Sequence, residues 1–204
     1  MEIEINYSFI IPHRNVPHLL QRCIDSIPKR DDIQIIIVDD NSDPKIVNFE
    51  CFPGLNEKCV EVYFTKEGKG AGYARNIGLT YAKGKWFLFP DADDHYTTDL
   101  MNVLDKYVNS NYDIIYFACD HIIEKTMEHC DNIISIQIKS YLEGHKDMIN
   151  NIRYYLWAPW NKMIRSDFWF KYRIFFDEIP FGNDLNFSMK ISFLAKRYEI
   201  ITNR

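Results

Sequence analysis

Two short runs of the chain hold most of the residues that could do chemistry. Ile35-Ile36-Ile37-Val38 leads into Asp39-Asp40-Asn41-Ser42-Asp43, and Trp86-Phe87-Leu88-Phe89 passes through Pro90 into Asp91-Ala92-Asp93-Asp94. Each is an apolar stretch closed by a cluster of acids. Asp and Asn also start turns and cap helices, so one such cluster alone says little. Two at equivalent strand ends say more, because neighbouring carboxylates repel unless something cationic lies between them. A hydrated Mg2+ or Mn2+ carrying a diphosphate suits that place. Such ions take oxygen ligands and often use only one or two carboxylates, leaving the rest to phosphate and water.

Other patterns narrow the field. Asp39, Asn41, Asp43 and Glu50 have the spacing of an EF-hand loop, but Pro44 stands where its glycine is needed and a strand precedes it. Gly68, Gly70 and Gly72 read GxGxG, not the GxGxxG of a dinucleotide site, and no GxxxxGK(S/T) phosphate loop occurs. Arg75 and Asn76 are more useful: near a helix start, a cation could meet a phosphate or a base edge. Cys119, His121, His129 and Cys130 are zinc-capable types without the ordered pairs that zinc sites favour. Five cysteines with no CxxC spacing read as reduced cytosolic thiols.

A sheet must position these residues. Tyr7 to Pro12 reads as a buried strand, and Asn15-Val16-Pro17 as a helix cap with proline in the first turn. Leu19, Leu20, Cys23, Ile24 and Ile27 follow at helical spacing, and Ile35 to Val38 is an aliphatic strand covered on both faces. This βαβ unit should cross over right-handedly. A second unit has a strand at Val60 to Phe64, the glycine-rich turn, a helix ending near Gly84 and a strand at Trp86 to Phe89. Asp99 to Val108 reads as a helix and Asp113 to Ala118 as a strand. In such open sheets, ligands bind beyond the carboxyl ends of the strands. Past residue 120 the pattern loosens into aromatic-rich segments, until a helix from about Asp184 to Lys196 turns Phe187, Ile191 and Leu194 inward. There Tyr155, Trp157 and Trp160 read as core more than as sugar platforms. Lys162 divides evenly between a phosphate contact and solvent.

The 204 residues, 47% hydrophobic and 26% charged, suffice for one packed domain and exclude a disordered chain. A net charge of −5 argues against a nucleic-acid partner. No apolar run approaches a membrane span, and the acidic start Met1-Glu2-Ile3-Glu4 is unlike a signal peptide.

Taken in order, Ser8-Phe9-Ile10-Ile11-Pro12-His13-Arg14-Asn15, Val38-Asp39-Asp40-Asn41-Ser42, Ala74-Arg75-Asn76-Ile77-Gly78 and Asp91-Ala92-Asp93-Asp94 resemble the motifs of family 2 glycosyltransferases with the GT-A fold. Trp160-Asn161-Lys162 and Gly182-Asn183-Asp184 resemble that family's later segments. The resemblance implies an α/β fold of the nucleotide-diphospho-sugar transferase type, an open, mainly parallel sheet flanked by helices. It implies one domain over 1–204, with a nucleotide-binding half to about residue 120 and an acceptor-side half from 121. The implied reaction moves a sugar from a UDP-type nucleotide-sugar donor to an acceptor hydroxyl with inversion, in surface polysaccharide or glycan synthesis. Carried over, Asp39 holds the donor's base, Pro12 and Asn15 shape its pocket, and Arg75 lies beside it. Asp91 and Asp93 face ribose and metal, Asp93 and Asp94 ligate Mn2+ or Mg2+, and Asp184 is the catalytic base. The implied acceptor is a glycan or lipid-linked glycan. The implied location is the cytoplasm, with peripheral association at the inner membrane face left open.

Local sequence alone reads Asp184 as a helix cap. The chain departs from the family pattern at His13-Arg14, Pro90 and Asn183, the last replacing a Glu. It also stops at Arg204, where family members continue, so a truncated acceptor side is expected. Two other readings stand: a sugar-nucleotide nucleotidyltransferase, which would want a glycine-rich loop after the first strand, and a nucleotide-sugar-binding module without turnover.

Overall fold

The computed structural model describes residues 4–126, 128–130 and 132–201. Met1 to Ile3 and the chain end at Arg204 lie outside them. The aliphatic runs become adjacent parallel strands, β1 (Tyr7–His13) and β2 (Ile33–Asp39), joined by helix α1 (Pro17–Ser26), and all seven residues of each strand are buried. Strand β3 (Val60–Phe64), helix α2 (Ala71–Tyr81) and strand β4 (Trp86–Leu88) form the second unit. Then come α3 (Leu100–Leu104), β5 (Ile114–Phe117), and a separate antiparallel hairpin of β6 (His121–Ile123) and β7 (Glu128–Cys130). Helices α4 (Ile133–Leu142) and α5 (Ile149–Tyr154), strand β8 (Lys162–Arg165), helices α6 (Ser166–Tyr172) and α7 (Leu185–Leu194), and strand β9 (Tyr198–Ile201) follow. The seven-stranded sheet has the order β3-β2-β1-β4-β8-β5-β9. Only β8 runs against its neighbours.

Because strand side chains alternate between faces, the sheet builds two apolar layers. Ile10, Ile36, Val38 and Phe87 pack with Ala74 and Leu79 of α2 and Phe187 and Ile191 of α7. Phe9, Ile11, Ile35, Ile37 and Leu88 pack with Leu20, Cys23 and Ile24 of α1 and Leu100 and Leu104 of α3. Each such Ile, Leu, Val or Phe side chain stabilises the fold by about 1.5–3 kcal/mol relative to its exposed state. Gly78 lets α2 settle on β1, since a Cβ there would run into Ile10.

Several expectations change. Asn15 is not the cap of α1. Val16 takes that place without a side-chain cap bond, and Asn15 adopts a left-handed φ of 59°, which Asn tolerates. The helix expected over 99–108 is regular only from Leu100 to Leu104. The loosely patterned second half contains α4, α5, the hairpin and β8. No helix among the described residues is long and apolar enough to cross a membrane.

Candidate functional site

The parallel register sets His13 beside Asp39 at the carboxyl ends of β1 and β2. His13 Nδ1 lies 2.8 Å from Asp39 Oδ1, and His13 Nε2 accepts the Val16 N–H at 3.2 Å. The backbone N–H therefore fixes the tautomer: Nδ1 carries the proton and donates it to Asp39. Ser42 completes the knot, donating its hydroxyl to Asp39 Oδ1 at 2.5 Å and its N–H to Oδ2 at 3.0 Å. Burial pushes the Asp39 carboxyl up, but the bonds from His13 and Ser42 outweigh it and hold its pKa below the usual range. Asp39 is 1% exposed, so it is a core group and not the strand-end surface residue its polarity suggests. Asn15 stitches the two loops together: its N–H donates to Ser42 Oγ at 2.9 Å, and its Oδ1 accepts the Asp43 N–H at 2.7 Å. Pro12 is buried beside them.

Asp40, also buried, faces the glycine-rich turn. Its carboxylate accepts the N–H groups of Gly70 at 2.6 Å and Lys69 at 3.1 Å. Gly70 needs its φ of 97° to present that N–H as α2 begins. One turn on, Arg75 is 4% exposed and spans the site. One Nη donates to Asp91 Oδ1 and the other to Asn183 Oδ1 at 3.0 Å, while the guanidinium lies 5.2 Å from the Phe176 ring centre. The structure thus places Arg75 between the second acid cluster and the loop before α7, with neither Nη directed at Asp39.

The second cluster folds back on itself, Asp94 Oδ2 accepting the Asp91 N–H at 2.8 Å. Burial, together with the charge of Asp91, pushes Asp94 up to about 7. Burial likewise raises Asp91, despite Arg75. Asp93 is exposed, and its main-chain carbonyl accepts from Arg22 of α1 at 2.7 Å. Arg22 also reaches Glu124 on the hairpin at 3.2 Å. These acids line a cleft of about 890 Å3, walled opposite by the hairpin and by Trp160. No three His, Cys, Asp or Glu side chains among the described residues are grouped to hold an ion by themselves. The donor set nevertheless fits a hard divalent ion. Burial first, and then the like charges of neighbouring acids, raise Asp91 and Asp94, a cost that a cation would relieve, and an ion of this kind needs only one or two carboxylates when phosphate oxygens complete its shell.

Asp184 precedes α7, partly exposed, and its side chain makes no cap bond, so the plain helix-cap reading loses its support. Lys162 does not reach solvent. It is fully buried, and its Nζ donates to the Leu156 carbonyl at 3.0 Å. Tyr155 and Trp157, expected in the core, are 68% and 49% exposed, and Trp160 lines the cleft. Sequence reasoning missed the structural use of His13, Asn183 and Arg22. The Asp39-to-Ser42 spacing did carry a signal, that of an Asp side chain catching an N–H three residues on.

Comparisons with known proteins follow this geometry. The family model described as glycosyl transferase family 2 matches residues 8–179. An uncharacterized glycosyltransferase of Bacillus subtilis, EpsJ, is 23% identical over 208 residues, covering 95% of this chain and 58% of its own. A poly(ribitol-phosphate) beta-glucosyltransferase of Bacillus spizizenii is 33% identical over 93 residues, 43% of this chain and 15% of the relative. This chain therefore spans little more than half of the first relative and a small part of the second. Among solved structures, S. aureus TarS 1-349 in complex with UDP-GlcNAc superposes with a TM-score of 0.76 at 20% identity, over 98% of this chain and 57% of that one. That likeness shows the fold.

Proposed function

The chain belongs to glycosyl transferase family 2, and from that premise we propose that it transfers a sugar from a UDP-type nucleotide-diphospho-sugar to an acceptor hydroxyl with inversion, in the building of a cell-surface glycan. The observation that carries this is the gathering of both acid clusters at one sheet edge, with Arg75 joining the second to the loop that carries Asp184. TarS supports the donor, being solved with UDP-GlcNAc, and the Bacillus spizizenii relative, named for poly(ribitol-phosphate), supports a surface-glycan acceptor.

In this reading the first half binds the nucleotide and the second meets the acceptor. The Oδ2 atom of Asp39, which accepts only one described hydrogen bond, offers a remaining lone pair to an N–H of the base. Pro12 and Asn15 hold the loop over it. Asp91 and Asp93 face the ribose and the metal, and Asp93 and Asp94 are the carboxylates that would hold Mn2+ or Mg2+. When bound, that ion supplies neutralising charge to the departing diphosphate. Asp184 takes the proton of the attacking hydroxyl, a contribution typically of about 10²–10⁴-fold.

The test is a thermal-shift titration of the chain with UDP and UDP-GlcNAc, with Mn2+ or with EDTA. At about 100 times the dissociation constant, binding adds about 2.7 kcal/mol, or roughly 5–10 °C in Tm for a domain of this size. No shift with either nucleotide would overturn the donor assignment. An equal shift in EDTA would overturn the metal assignment. Release of UDP and sugar by the chain separates a transferase from a binding module.

A further inference from the structure

The loop before α7 is held at its neck and bare at its tip. The Asp177 N–H donates to the Asn183 carbonyl at 2.9 Å and closes the loop between them. Ile179, Pro180, Phe181 and Gly182 are exposed, Phe181 at 90%. A segment with so few buried contacts belongs to the low-stability end of a fold, so its place depends on what grips the neck. Asp184 follows that neck directly.

Helix α2 is the grip. Asn76 holds Phe176 at both backbone groups, its Nδ2 donating to the Phe176 carbonyl at 2.9 Å and its Oδ1 accepting the Phe176 N–H at 2.8 Å. Gly72 lets the neck lie close against the helix, since a Cβ there would run into the Asp177 carbonyl and the Asn183 Cβ. The Phe176 ring stacks on Phe187 of α7 with centroids 3.7 Å apart, which ties the same neck to the helix that follows Asp184.

Arg75 adds a link of a different kind. Among the described residues its guanidinium donates to two acceptors, Asp91 Oδ1 in the second acid cluster and Asn183 Oδ1 at 3.0 Å. The group is a planar, rigid fork, and here it is almost wholly buried. It therefore sets how far the neck stands from the acid cluster. The bonds from Asn76 place the neck on α2, whereas Arg75 touches both sides of the site.

We propose that Asn183 is a positioning residue, the acceptor through which Arg75 registers the loop carrying Asp184 against the acid cluster at Asp91. This rests on the reading of Asp91 as a donor-side residue and of Asp184 as the base. An amide oxygen accepts from the guanidinium while adding no charge beside Asp184. Because both contacts meet on one side chain, filling the acid cluster is felt at the loop, and the linkage is reciprocal.

The test is backbone hydrogen exchange over residues 177–184, read by mass spectrometry with and without UDP and Mn2+. It compares the wild type with Asn183→Leu, which is similar in size but cannot accept, and with Asn183→Asp, which accepts at the same place. In the wild type, UDP and Mn2+ should slow exchange by about tenfold or more, the worth of one hydrogen bond to a charged group. Asn183→Leu should lose that response while β1 and β2 stay protected, and Asn183→Asp should keep it. If Asn183→Leu exposes those strands, Asn183→Ala takes its place in the comparison. An Asn183 that served the loop's structure alone would change exchange equally with and without the nucleotide, and that result overturns the proposal. Wild-type protein that binds UDP yet shows no slowing overturns it too. Failure of the transferase reading would show differently, as wild-type protein whose Tm neither UDP nor UDP-GlcNAc moves.

Discussion

Replacing Asp39 with Ala would strip the acceptor from His13 Nδ1 and from both Ser42 donors at a buried position. Hydrogen bonds to a charged acceptor are worth about 1.5–3 kcal/mol each, and orphaned buried donors add to the loss. Asp39→Ala should therefore lose about 2–4 kcal/mol in urea unfolding as well as nucleotide affinity. Its acid behaviour follows from the sign of the shift. A carboxyl whose pKa is lowered on folding contributes stability above its unfolded value near 3.8, and loses it as pH falls through the folded one. Wild-type protein should thus be more acid-sensitive than Asp39→Ala below about pH 4, as circular dichroism during acid titration would show. Asp184→Asn is the contrasting case. Its side chain makes no cap bond, so stability should change by no more than about 0.5 kcal/mol. Transfer should still fall by about 10²–10⁴-fold if the residue is the base. Near-wild-type turnover in that variant would remove the role.

Helix α2 shows how closely elements must meet to build this edge. Gly78→Ala improves helix propensity by about 1 kcal/mol, yet its new Cβ enters the space of Ile10 on β1. Overpacking of this kind costs about 1–3 kcal/mol. The variant should therefore be less stable in denaturant, and a stabilised variant would show that α2 can lift from the sheet. The elements that sequence reading located well are those with one unbroken physical signal. Ile35 to Val38 and Trp86 to Leu88 are aliphatic or aromatic throughout because both their faces are covered. Strand β8 was illegible for the opposite reason: Lys162 and Arg165 bracket two apolar residues, and nothing local says that the lysine is enclosed. The hairpin, built from His121, Glu128 and His129 among others, has the composition of a loop. Site residues followed the same division. Asp39 and Asp91 stood out at strand ends, whereas Asn183 became visible as a partner only once Arg75 was seen to span about a hundred residues of chain to reach it.

For the molecule as a whole, Asp94, half-buried at the cleft, and Lys162, fully buried, set opposite slopes of stability against pH. Asp94 goes from 3.8 unfolded to about 7 folded, so its contribution is present below pH 4 and is lost as pH rises toward 7. Lys162 goes from 10.5 to about 7, so stability rises again from pH 7 toward 10. Metal-free protein should show a shallow minimum of stability near neutral pH, which urea titrations at pH 5, 7 and 9 would locate. On the proposed ligation by Asp94, Mn2+ would displace its proton, so the ion's stabilising effect should be greater at pH 8 than at pH 6. A metal effect that ignores pH would place the ion elsewhere. The position of β8 between β4 and β5 has a further consequence, for the order of assembly on the ribosome. Four neighbouring strands, β3-β2-β1-β4, are complete once Leu88 has emerged, but the outer edge of β4 finds its partner only when residues 162–165 arrive. At about 5–20 residues per second that delay is on the order of 4–15 s. Through it the nascent chain carries an unpaired apolar edge, Trp86-Phe87-Leu88, which is the kind of template that recruits other chains. The inserted strand that seats Lys162 is thus also the late-arriving cover of the sheet, and slow elongation before it should favour aggregation over folding.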